Sequence, residues 1–332
     1  MRIGAILPHL LVFGGVRRYI ELGNAFIARG HEFIIFTPDG EDPEWLRFDG
    51  EIRPFSMLPG SDLDVAISGS PELTGELDRA GARRRIFYLQ IENVRGEESI
   101  VRSGKYRIMV NSSGLARRVR SRYGVEPIDG IGGVNPTLFH PMERKRGDTL
   151  DILCYGRLSR PRKGTRFVVR AARWMHRRGY DVRLHLFDTI NPGEDDPRIG
   201  FDPGLPCIYY LGLPQERMAL MYASADVFVS AERRAGWSNT AAEASACGLA
   251  VVCTRSGTLD FAIDGRSAIV VGGRGARGVR RALQRLYGDR DLAARLGAEA
   301  ARTMLAFTWE AVCARMERSF ATILDDAQRG DS

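Results

Sequence analysis

Ile152-Leu153-Cys154-Tyr155-Gly156-Arg157-Leu158-Ser159-Arg160-Pro161-Arg162-Lys163-Gly164 is the stretch on which the fold turns. Its four leading apolar residues read as a buried strand, which opens into a basic loop bracketed by two glycines. Helical periodicity begins at Thr165. A strand that passes through such a loop into a helix start is a place where anions bind, because free backbone N–H groups and the helix dipole add to the charges of Arg157 and Lys163. Gly156 and Gly164 let the backbone approach a ligand closely. A solvated basic loop would account for the same residues, since Arg160 and Arg162 stand there too.

Later in the same half, Gly236-Trp237-Ser238-Asn239-Thr240-Ala241-Ala242-Glu243-Ala244-Ser245-Ala246-Cys247-Gly248 leads into a strand over 250–254. Thr240-Ala241-Ala242-Glu243 fits a capping box, in which the glutamate bonds back to the cap residue's N–H. The other reading has Glu243 accepting hydrogen bonds from ribose hydroxyls while Ser238, Asn239 and Thr240 turn backbone amides toward phosphate. Together the two stretches outline a site for a diphosphate attached to a sugar or ribose.

Working outward, a strand at 2–7, a loop through Gly14 and Gly15, a helix over 16–28 and a strand at 32–37 open the chain in βαβ fashion. Strands at 52–55, 64–67, 85–89 and 107–110 and helices near 71–79 and 114–123 continue it. The rhythm stops at Gly132-Gly133-Val134-Asn135-Pro136 and a charged run over 143–148, then restarts with strands at 182–187, 208–211, 227–230 and 268–271. Three helices close the chain. This alternation predicts an α/β protein of two doubly wound, Rossmann-like parallel-sheet domains facing a cleft. The expected domains are 1–133, a linker at 134–150, a second domain at 151–308, and a C-terminal helix at 309–332 packed back on the first domain.

Composition narrows the functional classes. The 332 residues carry 44% apolar side chains and a net charge of +7, with a pI near 9.4, which favours anionic partners. Only Lys105, Lys145 and Lys163 are lysines, so a compact ammonium stands out immediately before Gly164. No run of 18 uncharged apolar residues occurs, and the N-terminus lacks the apolar core and cleavage site of a signal peptide, so a cytoplasmic protein is expected. Cys154, Cys207, Cys247, Cys253 and Cys313 are scattered, odd in number and read as free thiols. Without a recognised motif or an aromatic-interleaved basic strip, nucleic acid is not expected as a partner.

Gly-Arg-Leu with Lys-Gly six residues on, followed by Glu-Ala-x-Ala-Cys-Gly-x-Ala-Val-Val, resembles the donor half of the family 4 retaining glycosyltransferases of GT-B architecture. Leu211-Gly212 through Ser230 resembles the segment that holds the nucleobase there, with Leu213 among its residues. Gly133-Val134-Asn135-Pro136-Thr137-Leu138-Phe139-His140-Pro141 is similar to the family's linker, and Gly14-Gly15 to its first glycine-rich loop. The resemblance covers nearly the whole chain. It implies transfer of a sugar from a nucleotide-diphosphate sugar to a hydroxyl acceptor with retention, in cell-envelope glycan, glycolipid or glycosylated-metabolite biosynthesis. By this resemblance Arg157 and Lys163 hold the donor diphosphate and act as electrostatic catalysts, and Glu243 holds the ribose. The nucleotide sugar is a co-substrate; neither a further cofactor nor a metal is implied.

One position departs from the family. Of its two glutamates separated by seven residues, the first is replaced here by Ala235, with Glu232 one helical turn earlier as a substitute. This departure alone supports a rival reading, a catalytically silent nucleotide- or glycan-binding partner subunit. On the acceptor side, Gln90, Glu92 and His9 are the candidate acceptor or sugar contacts, set against ordinary loop polarity. Glu194-Asp195-Asp196-Pro197 reads as solvated surface rather than a metal site. The stripe Leu115, Val119 and Tyr123, flanked by arginines, fits either a peripheral contact with anionic lipid at the inner membrane face or packing on its own sheet.

Overall fold

The computed structural model describes residues 1–144, 147–272 and 275–330. Lys145 and Arg146 of the expected linker, and Asp331 and Ser332 of the expected C-terminal helix, lie outside the described residues. The chain divides into two compact units, Met1–Gly133 with Phe307–Ser332, and Val134–Ala306.

The first unit runs β1 (Arg2–Ile6), α1 (Gly14–Ala28), β2 (Glu32–Thr37), β3 (Glu51–Pro54), β4 (Leu63–Ser68), α2 (Thr74–Arg79), β5 (Ala82–Leu89), α3 (Glu97–Arg102), β6 (Arg107–Val110), α4 (Ser113–Tyr123) and β7 (Ile128–Asp129). Its parallel strands lie in the order β3-β2-β1-β4-β5-β6-β7. The central strands are near-continuous apolar runs because helices cover both faces. On one face α1 buries Val16, Tyr19, Ile20, Leu22 and Phe26 together with Trp309, Val312, Met316 and Phe320 from the last helix of the chain. On the other face α4 buries Leu115, Ala116 and Val119, and the Tyr123 hydroxyl bonds Glu97 at 3.0 Å. The apolar stripe of α4 is therefore packed on its own sheet, which corrects its reading as a lipid-facing surface. Short elements such as α3 and β7 escaped the sequence reading because a turn or two carries no periodicity.

The second unit runs β8 (Leu150–Tyr155), α5 (Thr165–His176), β9 (Val182–Asp188), β10 (Cys207–Leu211), α6 (Gln215–Ala223), β11 (Val227–Ser230), α7 (Asn239–Ala246), β12 (Ala250–Cys253), β13 (Ile269–Val270), α8 (Ala276–Gly288) and α9 (Arg290–Met304). The last helix, α10 (Trp309–Gly330), belongs to the first unit. The sheet order is β10-β9-β8-β11-β12-β13, again parallel. Val168, Val169, Ala172 and Met175 of α5 and Val279, Leu283 and Leu286 of α8 share one apolar cluster with β8, β9 and β11.

Strand order reverses between β1 and β4 in the first sheet and between β8 and β11 in the second. Connections from two such strands leave toward opposite faces, so a crevice opens at their carboxyl ends. The loops that follow β8 and β11 hold Arg157, Lys163 and Glu232; the loop after β1 holds His9, and Gly14 and Gly15, expected in that loop, form the first two positions of α1.

Candidate functional site

Local geometry first fixes the loop after β8. Gly164 adopts a left-handed φ of +74°, and a Cβ there would sit 2.1 Å from the Ala231 carbonyl oxygen, so only glycine lets this turn close onto the β11 loop. The Thr165 hydroxyl ties the start of α5 to the Tyr155 carbonyl at 2.8 Å. Between these anchors a short 3-10 turn, Pro161–Lys163, raises the lysine toward β11.

Arg157 is buried, and β-sheet register explains its main partner: Tyr155 pairs with Phe187, which brings the end of β9 beside Arg157. Its Nε donates to both oxygens of Asp188 at 3.0 and 3.1 Å. Nη1 and Nη2 reach the two oxygens of Glu194 at 3.1 and 3.0 Å, and Nη2 also donates to the Thr189 carbonyl. Burial works against the charge on Arg157, but the bond to Asp188 and the surrounding negative charge outweigh it and hold its pKa above the ordinary value. The carboxyl of Glu194 is held below its usual range by the Asn191 backbone N–H and by Arg157. Arg157, Asp188 and Glu194 border a cavity of about 450 Å³, with Ile199 and Phe201 on its wall. Glu194 is thus a partner of Arg157, which corrects its reading as plain solvated surface. Sequence spacing could not find this pair, since it depends on the β8–β9 register and the path of a long loop.

Lys163 donates to Glu232 at 2.5 Å and lies over the Tyr155 ring, 5.3 Å from its centroid. The second Glu232 oxygen accepts from the Ser238 hydroxyl at 3.4 Å. Ser238 donates its backbone N–H to the Gly257 carbonyl at 2.9 Å, so that amide is not turned toward a ligand, a correction to the expected trio of amides. Asn239 and Thr240 are half-buried at the first two positions of α7. Ala235 is buried, and its N–H bonds the Ser256 hydroxyl at 2.9 Å.

Glu243 is the fifth residue of α7, too far along to be the third helical residue that a capping box requires. It is buried and accepts the Tyr222 hydroxyl at 2.8 Å. Tyr222 stands edge-on to Phe139, Phe187 and Phe228, so the carboxylate is anchored from beneath by an aromatic cluster. Leu213 is half-buried in the loop between β10 and α6. Lys163, Glu232, Thr240, Tyr155 and Ser230 line one small hollow, so the structure brings the β8, β11 and α7 residues together.

In the first unit, Gln90 meets the start of α1: a Cβ on Gly15 would lie 2.9 Å from the Gln90 Oε1. The Gln90 carbonyl is itself fixed by the Asn111 amide at 3.0 Å. His9 lies 5.2 Å from the Phe13 ring, with its buried Nδ1 lacking a hydrogen-bond partner among the described residues. Glu92 is half-buried in the loop after β5. A residue that sequence reasoning missed, Arg18, is almost fully buried here; it donates to the Tyr88 hydroxyl at 2.8 Å and to the Gly130 and Gly132 carbonyls.

Two doubly wound parallel units of this kind define the GT-B class of α/β protein. The fold is shared with sucrose-phosphate synthase from Thermosynechococcus elongatus, at 18% identity and a TM-score of 0.80 over 98% of this chain and 99% of that one. It is also shared with HepE of Anabaena, solved in complex with UDP-glucose, at 12% identity and a TM-score of 0.75 over 97% of this chain and 100% of the other. Residues 149–289 match the family described as glycosyl transferases group 1. A GDP-mannose-dependent alpha-(1-6)-phosphatidylinositol monomannoside mannosyltransferase of Mycolicibacterium smegmatis is 31% identical over 86% of this chain and 88% of its own length. The chain belongs to the group 1 glycosyltransferases. A D-inositol 3-phosphate glycosyltransferase of Paenarthrobacter aurescens is 32% identical over 66% of the chain, which spans 58% of that relative's length.

Proposed function

We propose that this protein transfers a sugar from a nucleotide-diphosphate donor to a hydroxyl acceptor with retention and without a metal ion. The observation that carries the reading is that both candidate donor cations stand at one switch point and are neutralised by carboxylates, Arg157 by Asp188 and Glu194, and Lys163 by Glu232. Cations held this way are preorganised for an anion of similar shape. A diphosphate would take the place of Glu194 on Arg157, while Asp188, at the end of a strand, stays to orient the guanidinium.

In the reaction, Arg157 and Lys163 would stabilise the negative charge that grows on the leaving diphosphate as the sugar gains oxocarbenium character. The acceptor hydroxyl would attack from the same face, its proton passing to a leaving-group oxygen. Glu243, steadied by Tyr222, would accept the ribose hydroxyls, and Leu213 and Thr240 would complete the donor contacts. Glu232 stands where it can exchange Lys163 for a donor-sugar hydroxyl, which would compensate for Ala235. Gly14 and Gly15 are proposed to contact the donor, and His9, Gln90 and Glu92 the acceptor or sugar. The names of the relatives favour a phosphorylated polyol or a glycolipid as acceptor. Because those relatives are named as transferases, the silent-subunit reading rests on Ala235 alone.

A panel of UDP-, GDP-, ADP- and dTDP-sugars tests the reading. Release of nucleoside diphosphate with at least one donor, lost in Lys163→Ala and in Glu243→Ala, is expected. Nucleotide binding that neither substitution weakens would overturn the assignment of the site.

A further inference from the structure

On another face of the second unit, α5 and α8 lean together over a cavity of about 690 Å³. Arg170 and Arg173 of α5 and Arg177, the residue that caps its C-terminus, line it, spaced three and four residues apart and hence on one face; Arg277 and Arg280 of α8 line it from the other side. Neither helix contains an aspartate or glutamate, and no carboxylate borders the cavity among the described residues. This is the reverse of the donor site, where each cation has its own acid.

Arg173 and Arg280 are held in place, while Arg170, Arg177 and Arg277 are exposed at the rim. Trp174 lies under Arg280, whose guanidinium carbon is 4.2 Å from the ring centroid, and Arg178 caps the same ring at 5.0 Å. Arg173 is fixed by the carbonyls of Pro203 at 2.6 Å and Asp202 at 2.9 Å, contacts that leave its charge uncompensated. The Nε of Arg280 is shielded from water and has no hydrogen-bond partner among the described residues. The N-terminus of α8, a helix of 13 residues with no side-chain cap and no acid in its first turn, opens on the same cavity through Gly275 and Ala276. Like charges gathered this closely repel one another, and a buried N–H without an acceptor is costly. A bound anion relieves both.

We infer that this cavity binds a ligand carrying two or more closely spaced phosphate groups. Planar guanidiniums match phosphate oxygens in pairs, the helix terminus adds its dipole, and the volume accommodates a small polyphosphate or the head group of an anionic lipid. The inference is independent of the donor site.

Trp174 provides a local reporter. Titration with sodium tripolyphosphate at low salt is expected to give a saturable change in tryptophan emission that Trp174→Phe abolishes. In Arg170→Gln/Arg277→Gln, two exposed positions, the midpoint should rise at least tenfold with an unchanged melting temperature. A parallel sedimentation arm uses phosphatidylcholine vesicles with and without cardiolipin, whose head group carries two phosphates. Tripolyphosphate binding without vesicle binding identifies a soluble ligand; cardiolipin-dependent sedimentation, competed by tripolyphosphate, identifies lipid head groups. Absence of saturable binding in both arms, or binding that the double substitution leaves unchanged, overturns the inference.

Discussion

Arg18 and Arg157 are both buried guanidiniums, one early in α1 and one in the loop after β8, yet their surroundings differ in kind. Arg18 in the first unit is bonded by Tyr88 and the carbonyls of Gly130 and Gly132, with the Trp309 ring 5.1 Å away. Arg157 in the second is bonded chiefly by two carboxylates. Neutral acceptors from rigid backbone cannot be exchanged for a ligand, so Arg18 is a tie that joins α1, β5, the chain after β7 and α10. A carboxylate on a loop can be exchanged for phosphate. The chemical nature of the acceptor, more than burial, separates the structural arginine from the one proposed to bind.

The comparison breaks first at the lysine beside Arg157. Lys163→Ala and Arg157→Ala are each expected to lower turnover by about 10²–10³-fold, the range for removing one preorganised transition-state donor; steady-state kinetics on a competent donor would measure it. Retained turnover in both would make Arg157 a structural tie like Arg18. Next in size is Arg18→Met, which leaves the Gly132 carbonyl without its donor and takes one bond each from the Tyr88 hydroxyl and the Gly130 carbonyl, which keep their own bond at 3.0 Å. A loss of about 3 kcal/mol in unfolding free energy is expected from urea titration, with nucleotide affinity of the folded protein unchanged.

Glu194→Gln sharpens the distinction. Removing the carboxylate that competes for Arg157 should tighten nucleoside diphosphate binding about three- to tenfold, consistent with about 1 kcal/mol for a partly exposed pair, read by calorimetry. Weaker binding would mean that Glu194 supports the site rather than occupying it. The smallest effect concerns the clamp between α10 and α1. The bonds from Arg29, aided by His31 and opposed by slight burial, hold the Glu317 carboxyl down at about 2. A depressed pKa gives stability that is present above the unfolded-state value, near 4.3 for glutamate, and lost as pH falls from there through about 2. Urea midpoints measured from pH 6 to pH 2 should fall more steeply in wild type than in Glu317→Gln and converge at the acid end.

Much of the fold was legible because apolar runs of four to seven residues alternated with helical stripes, and the parallel order follows from that alternation. The candidate cations were legible too, since Lys163 before Gly164 in an arginine-rich chain is a local signal. Their partners were not. Asp188 closes a strand, Glu194 sits in a loop that looks like surface, and Tyr222 reads as one more apolar position of α6. Each becomes part of the site only through strand pairing or side-chain stacking. Glu243 was misread in one of its two senses because a capping box depends on where the helix begins, and α7 begins one residue before Thr240.

By itself the sequence determined two doubly wound α/β halves, the loop chemistry after β8, and membership in a family through motifs that survive as short strings. Tertiary structure decided which charges meet: a parallel sheet brings together residues distant in sequence at its carboxyl edge, and only the register and the loop path say whether a buried cation faces a carbonyl, a carboxylate or an open cavity.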